Sequence, residues 1–242
     1  MVRGILITAV TLVVLAGVVG YLMIRWAEAP VLSEADRPPE KIVVIPEGAT
    51  FNQAATLLER EQLIRSRSAF LLMGKSQEAD RKIHPGEYAL HAAMPPAEIL
   101  SRFLAGRVVL HPITIPEGYA MSQIADVLEE HHITTRKEFL SLASDKSFLK
   151  TLGVEGDSVE GYLYPDTYRF AKPTAAKDVI RAMVEQFDHV MTQELKVRAK
   201  EINLTIHQVL TLASVIEKET GAGNERPQIS AVFHNRLKKN IP

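Results

Sequence analysis

Two glutamates that follow an apolar run are the residues of this chain whose types and spacing best suit chemistry. The segment from His207 to Ile216 is almost wholly uncharged, and Glu217 and Glu219 come directly after it. In a helix, each glutamate shares a face with residues three, four and seven positions earlier, so we expect both to be partly buried. Burial disfavours the charged form of a carboxyl group and raises its pKa. A carboxyl group kept protonated near neutral pH can act as a general acid, which the cleavage of a glycosidic bond requires.

The same spacing fits a second interpretation. A helix whose last turn reaches the surface also shows a Glu-Lys-Glu cluster of this kind, and from spacing alone that arrangement is the commoner one. Periodicity does not choose between the two. Two interpretations of these residues therefore remain open: a partly buried general acid and an exposed surface cluster.

Other polar residues have ordinary structural explanations. Glu160 and Asp166 lie in a turn-rich stretch that ends at Tyr168, and an aspartate after a proline more often caps backbone groups than reacts. His207, at a predicted helix start, fits a cap or a surface residue better than a base. Because no histidines are spaced as helical metal ligands, we predict no metal site.

Three helices are predicted to position these groups. Their apolar spacing places them at about Ala175–Lys200, Ile206–Thr220 and Arg226–Lys239. The two glutamates then belong to the last turn of the second helix.

An internal repeat lies upstream. Lys41–Ile45 is a β-branched run that predicts a strand, and Phe51–Leu63 has helical apolar spacing. The turn between them, IPEG at 45–48, returns as IPEG at 115–118, and four further identities recur at the same spacing. Both copies continue to a second helix, and the first is followed by a turn and strand near 84–88 and a helix start near 95. We place the boundary between the two regions near Arg107–Pro112.

The N-terminus carries an apolar helix. Gly4–Ile24 has no charged residue, and its 21 residues would span roughly 31 Å as a helix, the thickness of a bilayer core. Arg3 and, on the other side, Arg25 and Trp26 are typical of the two interfaces. Charges on the two sides favour an N-terminus inside and a body outside.

A secretory signal peptide is the alternative for this helix, since Ala27–Ala29 has the small-x-small form of a cleavage site. The apolar cores of signal peptides are only about 7–15 residues long, so we expect a retained anchor. Residues 25–40, polar and rich in proline, predict a linker.

The composition excludes several classes of protein. The chain has no cysteine, so disulfides, thiolate nucleophiles and cysteine metal sites are absent. Its 28 basic and 29 acidic residues provide no broad basic field, which gives nucleic-acid binding little support.

Three separated motifs resemble one known family. Ala213–Thr220 has the sequence ASVIEKET, Val232–Leu237 is VFHNRL, and Val159–Tyr168 is VEGYLYPDTY. With the 159–168 motif upstream of the other two, they resemble the signature of the endolytic murein transglycosylases, also called the YceG-like family. The resemblance covers the chain from the apolar helix to its last residue.

The resemblance implies an α+β protein of the bacterial inner membrane. It would consist of an N-terminal tail and transmembrane anchor at 1–24, a linker at 25–40, a LysM-like subdomain at 41–110 and a periplasmic catalytic subdomain at 111–242. Its partners would be peptidoglycan glycan strands, the membrane through residues 4–24, and cell-wall synthases.

The implied activity is cleavage of nascent glycan strands between MurNAc and GlcNAc, which leaves 1,6-anhydro-MurNAc ends and needs no metal or organic cofactor. The first glutamate of the E-K-E-T motif is the family's catalytic acid, which corresponds to Glu217 here. The remaining motif positions are expected to bind substrate or support the cleft: Glu160, Tyr164, Asp166, Glu219, Asn235 and Arg236.

The chain departs from the family in one respect. Family members continue past the position of Leu237 with a segment that supplies further cleft residues, whereas this sequence stops at Pro242. We therefore expect a partial sequence. Two alternatives accompany the transglycosylase: a membrane-tethered glycan-binding module without activity, and a muramidase that uses water.

Overall fold

The fold is helix-rich, with two small antiparallel sheets. The computed structural model describes the backbone of residues 2–220, 222–239 and 241, and their side chains except those of residues 2–10 and 13. The predicted α+β class is confirmed. The helices are α1 (Val2–Glu28), α2 (Phe51–Arg60), α3 (Arg67–Lys75), α4 (Ala79–Lys82), α5 (Pro96–Leu104), α6 (Met121–Glu130), α7 (Arg136–Ala143), α8 (Lys146–Thr151), α9 (Ala176–Val190), α10 (Gln193–Glu201), α11 (Ile206–Glu219) and α12 (Arg226–Lys238), with a 3-10 helix at Glu34–Asp36; the strands are β1 (Lys41–Ile45), β2 (Gly86–Leu90), β3 (His111–Thr114) and β4 (Thr167–Phe170).

The first of two compact units, Met1–Leu110, is built on the pair β1 and β2. Val43 and Ile45 of β1 point into the core, whereas the residues between and before them are exposed, as expected for a strand with one buried face. Apolar faces of α2, α3 and α5 complete this core. Phe51 packs so close to α3 that a Cβ atom on Gly74 would overlap its ring.

The second unit, His111–Pro242, has a separate core. Its strands β3 and β4 are antiparallel, with Ile113 opposite Tyr168. Ile124 of α6, Phe139 of α7 and Met183 of α9 are among the buried side chains that cover this pair.

The predicted internal repeat is confirmed in backbone geometry. Gly48 and Gly118, the glycines of the two IPEG turns, have φ angles of 76° and 77°. Gln62 and His132, which follow the two equivalent helices, both have φ of 57°, the left-handed conformation that ends a helix. In both copies the next residue's N–H then bonds to the carbonyl five positions earlier at 2.9 Å. One short αβ unit is therefore built twice.

The long helix predicted at about Ala175–Lys200 is wrong, because the structure divides it in two. α9 ends at Val190 and α10 begins at Gln193. The Thr192 hydroxyl caps the second helix by accepting the Leu195 N–H at 3.4 Å. A threonine side chain that accepts a backbone N–H starts a new helix, and apolar spacing on both sides of it conceals the break.

The N-terminal helix α1 extends beyond the predicted anchor, to Glu28. The prediction for residues 4–24 lies in part outside the described side chains. Among the side chains that are described, no helix is both long and apolar enough to cross a membrane.

The end of α1 and the segment after it contact other residues of the first unit at several points. The Arg65 guanidinium lies 5.4 Å from the centre of the Trp26 ring and donates to the carbonyl oxygens of Pro30 and Val31 at 3.0 and 3.3 Å. The Leu32 N–H bonds to the Ala92 carbonyl at 2.9 Å. At least to residue 32, the predicted linker is therefore held against the body by its own backbone groups.

Candidate active site

Helix α11 carries Glu217 and is positioned through its first two turns. Thr205 caps it: the Thr205 hydroxyl accepts the Gln208 N–H at 3.2 Å, and the Gln208 side chain accepts the Thr205 N–H at 2.9 Å. Ile206 and Leu210 pack against the core of the second unit. Glu217 lies seven residues beyond Leu210, about 10 Å further along the helix axis.

The partial burial predicted for Glu217 and Glu219 is wrong. Both are exposed, and 53% of the Glu217 side chain is accessible. The residues of α11 that reach the core lie in its first two turns, so its last turn projects past the core. The carboxyl group is thus open to a large substrate.

Glu217 is paired with an arginine that is not among the predicted site residues. Nη2 of Arg226 lies 3.0 Å from Oε1 and 2.9 Å from Oε2 of Glu217. Arg226 is the first residue of α12, and 46% of its side chain is accessible. Both carboxyl oxygens of Glu217 therefore face the same donor nitrogen.

The turn between α11 and α12 brings the two charges together. The Thr220 hydroxyl donates to Oε2 of Glu225 at 2.8 Å and accepts the Ala222 N–H at 3.0 Å. Thr220 is 7% exposed, so this bond is shielded from water. This contact depends on how the turn closes, which neither motif spacing nor helical periodicity indicates.

Glu160, predicted to bind substrate, contacts the start of α6. Both of its carboxylate oxygens lie 3.1 Å from the Met121 nitrogen and accept its N–H. The N-cap residue of α6 is Ala120, which has no side-chain oxygen, whereas the equivalent residue of the first repeat, Thr50, caps α2 with its hydroxyl. Glu160 thus supplies the acceptor that the second repeat lacks.

Tyr164 and Asp166 hold the entry to β4. The Tyr168 hydroxyl donates to the Tyr164 carbonyl at 2.6 Å, and burial raises the pKa of Tyr168, so it stays a neutral donor. The Asp166 carboxylate accepts the Thr167 N–H and the Gln186 side-chain amide, both at 2.7 Å. These are the capping contacts that the structural explanation of Asp166 predicts.

His207 stacks on Tyr162 instead of capping α11. The ring centres are 6.1 Å apart with planes 12° from parallel, and the Tyr162 hydroxyl lies 3.4 Å from Nδ1 of His207. Gly156 passes so close that a Cβ atom there would lie 3.0 Å from the imidazole. This contact joins the loop of the VEGYLYPDTY motif, at 159–168, to the start of α11.

Asn235 and Arg236 are exposed on α12, as is Glu219 at the end of α11. The structure therefore brings Glu217 together with Arg226, and places Glu160, Tyr164 and Asp166 in contacts that support the fold. Chemically, the site offers an accessible carboxylate beside a cation, at the junction of two helices.

Three comparisons with known proteins bear on this site. Residues 43–242 match the YceG-like family. A protein from Bacillus subtilis named endolytic murein transglycosylase is 30% identical over 225 residues, which cover 86% of this chain and 62% of that protein. A protein of the same name from Streptococcus pneumoniae is 28% identical, over 93% of this chain and 45% of its own length. A crystal structure of a yceG-like protein from Listeria monocytogenes, 28% identical, aligns over 83% of this chain and 71% of that one, with a TM-score of 0.49.

Proposed function

Since the chain belongs to the YceG-like family, we propose that it is an endolytic peptidoglycan lytic transglycosylase, with Glu217 as the catalytic acid. The chain spans 62% and 45% of the two relatives that carry the name. The observation that carries the proposal is the exposed carboxyl group of Glu217 in the E-K-E-T segment, at the end of a capped helix. A carboxyl group in this position can reach the middle of a glycan strand.

The proposed reaction uses one carboxyl group twice. Protonated Glu217 donates its proton to the oxygen between MurNAc and GlcNAc, and the bond from C1 of MurNAc to that oxygen breaks. The C6 hydroxyl oxygen of the same MurNAc then bonds to C1, and its proton passes to the Glu217 carboxylate. The cycle restores the acid, consumes no water and leaves a 1,6-anhydro end.

Glu217→Gln tests the assignment of the acid. An amide cannot exchange the proton, so we expect release of soluble fragments from purified murein to fall at least about a thousandfold. The matched control is Glu201→Gln, which removes an exposed carboxylate from α10. Equal digestion by the wild-type and Glu217→Gln proteins would remove Glu217 from this role.

Mass spectrometry of the products separates the transglycosylase from a muramidase. Anhydro ends support the reaction above, since the C6 hydroxyl is then the nucleophile. Reducing ends would show that water attacks instead, and the proposal would change to a hydrolase with the same acid.

Glycan binding by the first unit is a second candidate function, and a cavity favours it. The cavity has a volume of about 330 Å³ and lies between the turn at 45–49 and the face of α2 formed by Gln53, Ala54 and Leu57. Small-molecule sites begin near this size, about 300 Å³. In the second repeat the position equivalent to Ala54 holds the larger side chain of Ile124.

We propose that the first unit is the LysM-like subdomain. Its order of strand, helices and antiparallel strand supports this proposal.

Leu57→Trp tests the second candidate by enlarging a half-buried side chain on the cavity wall, whereas Ala54 is buried in the core. We expect binding to insoluble murein to weaken severalfold, while cleavage of a soluble glycan by Glu217 continues. Binding that is unchanged in a correctly folded variant would contradict a glycan site in this cavity.

We also propose that α1 anchors the chain in the bacterial cytoplasmic membrane, with its N-terminus inside and the catalytic part in the periplasm. Tyr21–Ile24 are four successive exposed side chains that encircle one turn of α1, at 54–66% exposure. A helix that is apolar on every side requires an apolar environment. Carbonate extraction of membranes tests the anchor, and N-terminal sequencing of the mature chain tests cleavage near Ala29.

An anchored enzyme would cut nascent strands close to the bilayer, where cell-wall synthases work. Insertion of a flexible segment after Leu110, where the two units join along the chain, leaves the contacts of residues 26–32 in place and lengthens the connection from the anchor to the unit that carries Glu217. We expect the released glycans to change in length. Unchanged lengths would show that the anchor does not set the cleavage position.

A further inference from the structure

The Arg226 guanidinium uses a single nitrogen for Glu217. Its Nη2 atom lies 3.0 Å from one Glu217 oxygen and 2.9 Å from the other. An arginine carries five N–H donors on three nitrogens. Donors on Nε and Nη1 are therefore free of Glu217, on a side chain that is 46% accessible.

The backbone of the turn before α12 places Arg226 beside Glu217. Arg226 is the first residue of α12, and the Thr220–Glu225 hydrogen bond closes the turn immediately before it. Glu225, Arg226 and Glu217 therefore lie together at this turn, whereas the Arg198–Glu201 pair joins residues of one helix. A carboxylate from solvent that approaches Glu217 also meets this guanidinium.

Glu217 must give up this pair to act. A carboxylate that accepts the Arg226 N–H has no proton to donate, and the proposed reaction starts with the protonated acid. A competing anion on Arg226 would release Glu217. The peptide stems of peptidoglycan end in free carboxylates, so the proposed substrate itself brings such an anion, in a geometry that guanidinium recognises well.

We propose that Arg226 is the residue that binds a carboxylate of the glycan's peptide stem, and that Glu217 occupies it only in the absence of substrate. The inference rests on the proposed function for the identity of the substrate. It assigns Arg226 to substrate binding and makes the charge of the peptide stem a determinant of specificity.

The experiment compares native murein with murein whose carboxylates are converted to methylamides. Binding of the full chain to both insoluble forms is measured by sedimentation, and KM and kcat are measured by fragment release. For the wild-type protein we expect about tenfold weaker binding and a higher KM with methylamidated murein, because a charge-assisted hydrogen bond is lost.

Three variants test whether Arg226 causes the preference for native over methylamidated murein. Arg226→Gln should bind both forms equally, with native murein bound about tenfold more weakly than by the wild type, whereas Arg226→Lys should retain part of the preference. Arg198→Gln is the matched control, since it also removes an arginine from an exposed pair with a glutamate, and should keep the full preference. Circular dichroism checks that each variant folds, and the wild-type comparison between the two mureins stands without any variant.

The outcomes separate this inference from the proposed function. Equal binding of both mureins by the wild type, or a full preference in folded Arg226→Gln, overturns the inference even if Glu217 cleaves murein. An Arg226-dependent preference in a chain that does not cleave supports the inference and refutes the proposed activity.

Discussion

Glu160 caps α6 from a distant part of the sequence, and this contact changes what its substitution should do. Met121 donates its N–H to the carboxylate at the helix start, where Ala120 offers no acceptor. A residue that binds only substrate would affect activity without affecting stability. Substitution of Glu160 should instead lower the free energy of unfolding.

We expect Glu160→Ala to lower the free energy of unfolding by about 1 kcal/mol, the usual effect of a lost cap. Ala120→Thr should recover part of this loss in the double variant, because a threonine there would accept the Gln123 N–H, as Thr50 accepts the Gln53 N–H, while the Met121 N–H served by Glu160 stays without that acceptor. Urea unfolding of the single and double variants is the measurement. Loss of activity without loss of stability would instead favour the predicted contact with substrate.

Tyr88 links stability to alkaline pH. It is fully buried, its hydroxyl donates to the His84 carbonyl at 2.7 Å, and burial raises its pKa to about 12. The Tyr88 hydroxyl has a pKa near 10 in the unfolded chain and about 12 in the folded chain. Between these values the unfolded state binds fewer protons than the folded state. The stability from this group is therefore complete below pH 10 and is lost as the pH rises to about 12.

We expect Tyr88→Phe to remove that dependence. The variant should be about 1 kcal/mol less stable than the wild type at pH 8, because the His84 carbonyl loses its donor. By pH 12 it should be the more stable of the two, since its difference from the wild type shifts by about 2 kcal/mol between pH 10 and 12. A constant difference from pH 8 to 12, measured by urea unfolding, would contradict the burial of this phenol.

At the candidate site, the sequence predicted the helix that carries Glu217 but not the surroundings of that residue. The E-K-E-T segment and the helix start at Ile206 follow from motif and spacing. The exposure of Glu217 does not follow from them. Helical periodicity predicts on which side of the helix a residue lies, but not how far the helix extends past the core. Arg226 was missed because its contact depends on the turn closed by Thr220 and Glu225.

At the scale of elements, local signals predicted the starts of helices and strands better than their lengths. The β-branched run before Pro46 gave β1 its observed bounds, Lys41–Ile45. The first repeat's helix was predicted to reach Leu63 but ends at Arg60, because Gln62 adopts the left-handed conformation and closes it. Neither this glutamine nor the cap at Thr192 interrupts the apolar spacing that the prediction followed.

The packing of α2 on α3 depends on a glycine. A Cβ atom on Gly74 would overlap the Phe51 ring, which is buried against Phe70 with ring centres 5.1 Å apart. We expect Gly74→Ala to lower the free energy of unfolding by about 1–3 kcal/mol, even though alanine favours a helix. Gly223→Ala is the control in unfolding experiments, since nothing lies within 4 Å of its added atom. Equal stability of the wild type and Gly74→Ala would show that the Phe51 ring has room to move.

At the scale of the whole molecule, the two units have disjoint cores. Phe103 is buried in the first core, and Phe139 in the second. Each core contains only residues of its own unit. Loss of packing in one should therefore leave the other intact.

We expect Phe103→Ala to destabilise the first unit by about 3–5 kcal/mol and Phe139→Ala to do the same to the second. Native-state hydrogen exchange should speed up between residues 41 and 110 in one variant and beyond residue 111 in the other. Faster exchange in both units from either substitution would mean that they unfold together.

The contacts between the end of α1 and the first unit have a mechanical consequence. Arg65 holds Trp26, Pro30 and Val31, and Leu32 bonds to Ala92, so the helix end and the body move as one piece. Under the proposed anchoring, the bilayer would then fix the tilt of the first unit, and thermal rotation about the connection would be suppressed. A glycan bound to that unit would be held at a set angle to the membrane plane, and Arg65→Ala would widen the range of that angle while leaving the Leu32–Ala92 bond and the anchor in place.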